Sequence, residues 1–367
     1  MVNSDDFISR RNVLKCCGAT GVVGAAGCLG DDGDDGGASE AAAGFPDFDP
    51  SNPQFPQTAQ TLISEEWDFG DVSELDDAEP RDEPRYGGTA PEASEDEYAE
   101  PDPLVFTWAP TEDPAGYADT FDLLRENLEA ELDREVESFI VDDYAAQVEA
   151  MRADRLHLAR FATGNTPFGV NIAGAVPMVM PVQEGGLYGT KSWLIAQTGN
   201  DDVNGVEDVE GLEVAMGSAG SNSGTLAPQA LWEQDHGLVA DEDYDYELTG
   251  GHEQATLSVY QGDHEAGTVC SHCFKRAMEG RDLNMEEIKI VWSSDTFPLG
   301  PFSYRYNLHP DIVDGIRTAL MDYDYTDTAL HEDLGYNTFT EIDYATHWDQ
   351  VLAIQEFNEV EYTEQDL

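Results

Sequence analysis

Short apolar runs that alternate with stretches of helical periodicity constrain this chain more than any other feature of its sequence. Three of the runs predict buried strands, at residues 104–108, 136–141 and 157–161. Between the first two strands, apolar residues recur at helical spacing: Phe121, Leu124, Leu128 and Leu132. After the second strand, Asp143 is placed to cap a helix over residues 144–155. This order of strands and helices predicts an α/β lobe with a largely parallel sheet.

A second series of the same kind begins near residue 207. Strands are expected at 212–216, 246–248, 266–270 and 288–292, with helices at 225–236, 253–261, 274–279 and 310–322. The length of 367 residues suits two lobes with additional segments, and no internal repeat is evident. The sequence therefore predicts two α/β lobes.

The charge of the chain limits its partners. It carries 76 acidic against 17 basic residues, a formal net charge of -59, while 40% of its residues are hydrophobic. Because the acids are spread between apolar segments, the pattern indicates a folded protein with a carboxylate-covered surface, typical of an extremely halophilic source. No basic stripe exists to bind nucleic acid. An anionic ligand stays compatible, because the Debye length is about 3 Å at 1 M salt.

The N-terminus has the features of an export signal. Arg10 and Arg11 precede an apolar pair, as in a twin-arginine signal, and a Gly- and Ala-rich stretch follows over residues 16–26. That stretch is far shorter than the roughly 20 residues of a membrane-spanning helix. Small residues then precede Cys28, as in a lipobox, which predicts a signal over residues 1–28 with lipidation of Cys28. Residues 29–103 are acidic and rich in Pro and Gly, and they are expected to be mostly linker.

A loop of small residues lies between a predicted strand and a predicted helix. Residues 217–225 read GSAGSNSGT. Small residues let the backbone approach a ligand closely, and the N–H groups of the first helical turn favour an anion. Ser221 and Ser223 add hydroxyl donors. A tetrahedral oxyanion fits these donors, although an ordinary capped helix start would read the same way.

Four further segments complete a resemblance that covers about two thirds of the chain. They are residues 143–151, with Tyr144 at a helix start, and residues 189–195, 249–253 and 291–294. Together with the serine-rich loop, their order and spacing resemble the phosphate, phosphite and phosphonate substrate-binding proteins of ABC importers, here in a haloarchaeal, lipid-anchored version. The resemblance implies a two-lobed periplasmic-binding-protein fold of type II, with two crossover strands. The first lobe would combine 104–192 with 293–360, and the second would be 193–292.

The resemblance also implies which residues bind the ligand. The expected contacts are Tyr144, Thr190, Ser221, Asn222, Ser223 and His252. Four more residues are weaker candidates: Asn165, Thr166, Tyr188 and His272. Arg160 and Lys191 are rare cations in this chain, but rarity alone does not place them in the cleft.

Three positions depart from the family pattern. Asn222 replaces a threonine of the loop, and Thr190 replaces a ligand-facing tyrosine for which Tyr188 could substitute. Gly300 stands where the family often has an aspartate that binds the amino group of an aminoalkyl ligand. These departures bear on which oxyanion is bound more than on the class of ligand.

Cys270 and Cys273 form a CxxC motif that the ligand-binding reading does not require. The motif can be a disulfide, half of a metal site or a redox pair. Cys16 and Cys17 would be removed with the signal, and Cys28 would be lipidated. Cys270 and Cys273 would then be the only thiols that remain in the exported body, and a disulfide between them is expected outside the cell.

The sequence thus predicts a binding protein and not an enzyme. It would be a monomer anchored to the outer face of the cytoplasmic membrane by lipid, without cofactor or metal, delivering a phosphorus oxyanion to an importer permease. Two other classes stay open: a sensory module for a small anion, and an extracellular redox or metal protein built on Cys270 and Cys273.

Overall fold

The structure is a computed structural model, which describes residues 45–109, 118–141 and 143–363. The predicted signal and Cys28 lie outside the described residues. Within those residues, none of the helices has both the length and the apolar character needed to cross a bilayer. Residues 45–363 belong to one compact unit.

The first lobe is built on an eight-stranded sheet. Its order is β2-β7-β6-β13-β5-β3-β4, and β14 pairs with β6. The strands are β2 Gly70–Asp71, β3 Leu104–Trp108, β4 Val136–Ser138, β5 Leu158–Arg160, β6 Ala175–Gln183, β7 Leu187–Tyr188, β13 Phe302–Arg305 and β14 Tyr336–Glu341.

The second lobe is built on a six-stranded sheet of order β1-β12-β8-β11-β9-β10. Its strands are β1 Gln57–Thr58, β8 Ser192–Gln197, β9 Glu213–Met216, β10 Asp245–Leu248, β11 Ala266–Cys270 and β12 Ile288–Ser293. The two sheets confirm the predicted two-lobed α/β fold.

Helices connect and cover the strands. They are α1 Ala59–Ser64, α2 Ser73–Asp76, α3 Ala118–Leu132, α4 Tyr144–Arg152, α5 Thr166–Phe168, α6 Ala227–His236, α7 His252–Gln261, α8 Ser271–Gly280, α9 Pro310–Met321, α10 Ala329–Leu334, α11 Tyr344–His347 and α12 Asp349–Phe357. Single π turns cover Gly169–Ala173 and Asn222–Leu226, and 3-10 turns cover Glu184–Gly186, Val206–Val209 and Met285–Glu287.

Both sheets are mixed, whereas the sequence pattern predicts largely parallel sheets. Strands β3, β4 and β5 are parallel, as are β9, β10 and β11. The strands at the lobe crossings run antiparallel to their neighbours, as β8 does to β11 and β12, and β13 to β5 and β6. A chain that crosses to the second lobe and returns must reverse its direction, which local periodicity does not record.

Two crossing segments join the lobes side by side. The first leads from β7 to β8 and the second from β12 to β13. Thr190 and Phe297 exchange backbone hydrogen bonds of 2.8 and 2.7 Å between the segments. The Ser192 N–H also donates to Ser294 Oγ at 2.8 Å. The two crossings therefore form one hydrogen-bonded unit at the base of the cleft.

The segment before β3 carries structure that the expectation of a linker does not include. Strand β1 pairs with β12 of the second lobe, and β2 pairs with β7 of the first. Leu62 of α1 is fully buried in the core beside Trp193 and Phe274. Burying such a side chain contributes about 1.5–3 kcal/mol, which offsets the entropy of ordering the segment. The segment thus contacts both lobes, and we call residues 57–76 the N-terminal strap.

Lys191 connects the strap to both crossings. It is 6% exposed, and its Nζ donates to Phe69 O at 2.6 Å and to Thr296 Oγ1 at 2.9 Å. Neighbouring Asp68 is 1% exposed, and neither of its carboxylate oxygens has a hydrogen-bond partner among the described residues. Burial raises the pKa of Asp68 to about 6, against the opposing effect of Lys275 and Lys191.

Candidate ligand-binding site

A cavity of about 40 Å³ lies between the two sheets and is lined from both lobes. The first lobe and the crossings contribute Tyr144, Arg160, Ala162, Thr163, Gly164, Thr190, Leu299 and Gly300. The second lobe contributes Gly220, Ser221, Asn222, Ser223, His252, Cys270, His272 and Cys273. Two larger cavities, of about 340 and 610 Å³, have no lining residue from the second lobe among the described residues.

The serine-rich loop forms one wall of this cavity and leads into a helical turn. Ser221 has an extended backbone, and its Oγ accepts the Gly224 N–H at 3.2 Å, as an N-cap residue does. Neighbouring strands hold the loop, since Ser192 Oγ donates to Ser223 O and Thr268 Oγ1 donates to Gly224 O, both at 2.6 Å. The first N–H groups of the turn have no carbonyl partner within the helix and remain suited to an anion.

Asn222 has buried polar atoms that no other described residue satisfies. Its side chain is 4% exposed, and neither Oδ1 nor Nδ2 has a hydrogen-bond partner among the described residues. Leaving a buried donor unpaired costs about 1–3 kcal/mol. Because the residue lines the cavity, a ligand there would give its amide a partner.

His252 is held in one orientation beside Ser221. Its Nδ1 accepts the Cys270 N–H at 3.1 Å, so the neutral ring carries its hydrogen on Nε2. Nε2 lies 3.3 Å from Ser221 Oγ. A Cβ at Gly224 would lie 2.9 Å from His252 Cε1, which explains why the loop needs a glycine here. His252 can therefore present an N–H donor next to the serine hydroxyl.

Two residues bring the first lobe to the cavity. Tyr144 begins α4, whose N-cap Asp143 accepts the Ala146 N–H at 2.7 Å. Arg160 ends β5, is 5% exposed, and its guanidinium carbon lies 4.6 Å from the centre of the Trp108 ring. Arg160 is thus a cavity residue that the sequence analysis left unplaced. Its position near the carboxyl end of a predicted strand was the sequence feature that could have placed it in the cavity.

Three candidates from the sequence do not line the cavity. Thr166 Oγ1 donates to Ala162 O at 2.9 Å, and Asn165 Nδ2 donates to Tyr144 O at 3.5 Å, so both support the local backbone. Tyr188 is buried against Leu75 and Met180, and burial raises the pKa of its hydroxyl. Thr190, in contrast, does line the cavity, and its hydroxyl lies 3.2 Å from Ser271 Oγ.

The CxxC motif lines the cavity from the second lobe. Cys270 and Cys273 are joined by a disulfide at the start of α8. His272 is 7% exposed, and its pKa is lowered well below the usual value by burial and, secondarily, by Arg276 and Arg160, so the ring is neutral. It stacks on Phe69 of the strap, with 6.0 Å between ring centres.

Gly300 closes the cavity next to the first lobe. A Cβ at this position would lie 1.8 Å from Phe161 O, a backbone atom that cannot move independently. The close approach of these two backbone segments therefore excludes any side chain at this position, including the aspartate that the resemblance implies at some sites of this kind.

Two lobes joined by paired crossings, with a donor-lined cavity between them, define a periplasmic-type substrate-binding protein. A family model described as the periplasmic phosphonate substrate-binding protein of ABC transporters matches residues 106–348. The chain belongs to this family. It is therefore a substrate-binding protein of phosphonate-type ABC transport and not an enzyme.

Individual relatives agree with this assignment. The chain is 29% identical over 231 residues to a phosphate-import protein of Mycolicibacterium smegmatis, a match that covers 59% of this chain and 71% of the relative. It is 24% identical over 220 residues to a phosphonates-binding periplasmic protein of Escherichia coli, covering 58% of this chain and 64% of the relative.

Solved structures support the fold. The binding component of an ABC phosphonate transporter from Pseudomonas aeruginosa superimposes with a TM-score of 0.61 at 21% identity, covering 71% of this chain and 86% of its own. A Prochlorococcus marinus protein in complex with methylphosphonate gives a TM-score of 0.59 at 15% identity, covering 71% and 100% respectively.

Proposed function

We propose that the cavity binds a small phosphorus oxyanion, such as phosphate, phosphite or methylphosphonate, and that the protein delivers it to an importer permease. The curated relatives are named for phosphate import and phosphonate binding, and one solved structure of the same fold contains methylphosphonate. The observation that carries the proposal is the buried amide of Asn222, which has no hydrogen-bond partner in the described part of the chain and lies among hydroxyl and imidazole groups that line the cavity.

The donors divide between the lobes. In the second lobe, Ser221, Asn222, Ser223 and the Nε2–H of His252 would donate to the anion oxygens, and in the first lobe Tyr144 would reach it from α4. Arg160 would supply positive charge, and Thr190 would contribute from the crossing. Hydrogen bonds to a charged partner are worth about 1.5–3 kcal/mol each. His272 lines the cavity beside the Cys270–Cys273 disulfide, and it would contact only a ligand that extends toward that disulfide.

Ligand binding would favour an arrangement in which the two lobes close around the cavity. The moving bodies would be 104–192 with 293–360 and, opposite them, 193–292. A ligand that contacts both stabilises the closed state by its differential affinity for that state. A permease that recognises the closed arrangement would then receive only loaded protein.

The cavity favours the smallest ligands. Its volume is about 40 Å³, and Gly300 provides no carboxylate for an amino group. An aminoalkyl chain would need both space and a counter-charge. Inorganic phosphorus oxyanions and methylphosphonate therefore fit better than 2-aminoethylphosphonate.

Calorimetric titration of the purified protein tests this function. The titrations would use phosphate, phosphite, methylphosphonate, 2-aminoethylphosphonate and sulfate in multimolar KCl. We expect micromolar or tighter binding of one small phosphorus anion and its loss in Ser221→Ala/Ser223→Ala. Failure of a folded protein to bind any phosphorus anion would reject the proposal.

Export and anchoring form a separate part of the proposal. The twin arginines and Cys28 support twin-arginine export followed by lipidation and attachment to the outer face of the membrane, as a monomer. Cys28→Ser should move the mature protein from the membrane fraction to the medium, and Arg10→Lys/Arg11→Lys should keep it inside the cell. Unchanged fractionation of both variants would contradict this part.

A further inference from the structure

The amide of Asn222 places a requirement on the ligand that is separate from negative charge. The side chain is 4% exposed, and both Oδ1 and Nδ2 lack a hydrogen-bond partner among the described residues. An amide oxygen only accepts a hydrogen bond, and an amide nitrogen only donates one. Whichever way the amide is turned, it therefore offers the cavity one donor and one acceptor. A ligand satisfies both ends only if it carries a hydrogen as well as a negative oxygen.

The hydroxyl and imidazole groups around Asn222 do not impose this requirement. His252 Nδ1 already accepts the Cys270 N–H at 3.1 Å, so Nε2 is a donor. The hydroxyl groups of Ser221 and Ser223 rotate and can donate to any anion oxygen. No aspartate or glutamate occurs among the described residues that line the cavity. Among these side chains, Asn222 thus supplies the acceptor that cannot become a donor.

His272 also has one accepting nitrogen, because burial keeps its ring neutral by lowering its pKa. Both of its ring nitrogens lie against the disulfide, however. Nδ1 is 3.6 Å from Cys270 Sγ, and Nε2 is 3.7 Å from Cys273 Sγ. The acceptor available to a small ligand beside the serine-rich loop is therefore Asn222 Oδ1.

Phosphorus oxyanions match the two ends of an amide. Near neutral pH, phosphate and alkylphosphonates keep at least one hydrogen on oxygen, whereas sulfate and sulfonates keep none. A P–OH group and a neighbouring P–O⁻ oxygen form an adjacent donor and acceptor. Amide side chains bind such a pair through both ends at once, as asparagine does on the edge of adenine.

We infer that Asn222 selects phosphorus oxyanions that keep a hydrogen. The P–OH group donates to Oδ1, and a neighbouring oxygen of the same ligand accepts from Nδ2. An anion without a hydrogen leaves Oδ1 facing another acceptor, and a site built to bind a hydroxyl rejects a ligand that lacks it. The inference deepens the proposed oxyanion function and rests on it.

Two pairs of anions test this selection. Hydrogen methylphosphonate is paired with methanesulfonate, and hydrogenphosphate is paired with sulfate. Within a pair the two anions share shape and net charge and differ by one hydrogen. Each pair is titrated by calorimetry into the purified protein in multimolar KCl, at one pH where the phosphorus member is mainly the named ion. We expect the phosphorus member of each pair to bind about tenfold more tightly or better.

The comparison at one pH isolates the hydrogen of the ligand. His252, His272, Tyr144 and Arg160 are the titratable groups among the described residues of the lining, together with the disulfide-bonded cysteines. Both members of a pair meet these groups in the same protonation state. A difference within a pair therefore comes from the ligand and not from titration of the protein.

Variants assign the selection to the amide. A threonine hydroxyl can donate to either anion, so Asn222→Thr should bring the two dissociation constants of a pair to within about threefold. A merely structural role would weaken both members equally and leave their ratio unchanged. Asn222→Asp, which has two accepting oxygens, should weaken both affinities and keep the preference for the phosphorus member. Asn52→Thr is the matched control, since Asn52 is exposed and outside the lining.

Equal binding of both members of each pair by the wild-type protein overturns the inference. A preference that persists in folded Asn222→Thr overturns it as well. Both results leave oxyanion binding itself in place. If no phosphorus anion binds, the proposed function fails and the inference fails with it, so the two failures are distinguishable.

Discussion

His252 Nε2 lies 3.3 Å from Ser221 Oγ, which brings the start of α7 against the N-cap of the turn that precedes α6. The two residues are 31 positions apart in the chain. Both line the cavity, so each can contact the same ligand atom. The following predictions depend on this arrangement and on the approach of the two lobes around it.

Replacing the serine hydroxyl should weaken anion binding. Ser221→Ala removes a donor to a charged ligand, worth about 1.5–3 kcal/mol, so the dissociation constant measured by calorimetry should rise about 10- to 100-fold. The substitution also removes a helix cap at a cost of about 1 kcal/mol in stability. Thr58→Ala is the matched control, because Thr58 caps α1 away from the cavity. Wild-type affinity in Ser221→Ala would contradict the assigned role.

A side chain at Gly164 should hold the lobes apart. A Cβ there would lie 2.7 Å from Gly220 O and 2.8 Å from Asn222 N, backbone atoms of the opposite lobe. A steric cost of about 1–3 kcal/mol confined to the closed state predicts that Gly164→Ala binds the anion about 10- to 100-fold more weakly. The unfolding midpoint should change little. Gly199→Ala, with open space around the position, should keep wild-type affinity.

A side chain at Gly300 should destabilise the first lobe itself. Since its Cβ would lie 1.8 Å from Phe161 O, Gly300→Ala should lower the free energy of unfolding by about 1–3 kcal/mol or more in denaturant titrations. For the same reason, Gly300→Asp should not create binding of 2-aminoethylphosphonate. Gly280→Ala, which meets no atom within 4 Å, is the control. A Gly300→Asp protein of normal stability that gained aminoalkyl affinity would refute the steric argument.

Asp68 should make stability fall as the pH rises. Its pKa is about 6 in the folded protein against 3.8 for the ordinary group, so the folded state binds more protons between these values. The free energy of unfolding should therefore decrease between about pH 4 and pH 6, by up to about 3 kcal/mol from this group.

Asp68→Asn should remove this component and be the more stable protein at pH 7. The difference between the two proteins in denaturant titrations across the pH range isolates the group from the other carboxylates. The exposed Asp77, which directly follows the strap, supplies the control Asp77→Asn, which should retain the wild-type slope. Parallel curves for wild type and Asp68→Asn would show that Asp68 does not titrate in this window.

Much of the fold was predictable because its elements have local signals. Strands β3, β9 and β11 coincide with short apolar runs, and α9 shows its apolar face in the sequence. The N-cap role of Asp143 follows from the residues beside it. The strap was not predictable in this way. Its two-residue strands depend on partners in β7 and β12, far along the chain.

The residues of the candidate site also fall into those that the sequence could identify and those that it could not. The serine-rich loop could be identified because small residues and a helix start are adjacent in the sequence. Tyr188, Asn165 and Thr166 are close in sequence to cavity residues, yet their side chains pack or hydrogen-bond elsewhere. Arg160 reaches the cavity because β5 ends there, a consequence of sheet order and not of neighbouring residues.

By itself, the sequence determined the alternation of strands and helices, the capped serine-rich loop and the family, since all of these depend on residue type at fixed short spacing. Only the tertiary structure decided that Gly164 meets Gly220, that Gly300 leaves no room beside Phe161, and that His272 reaches both cysteine sulfurs. The physical reason is that burial and contact depend on how the two sheets and the strap pack together, and packing unites residues whose separation along the chain carries no local signal.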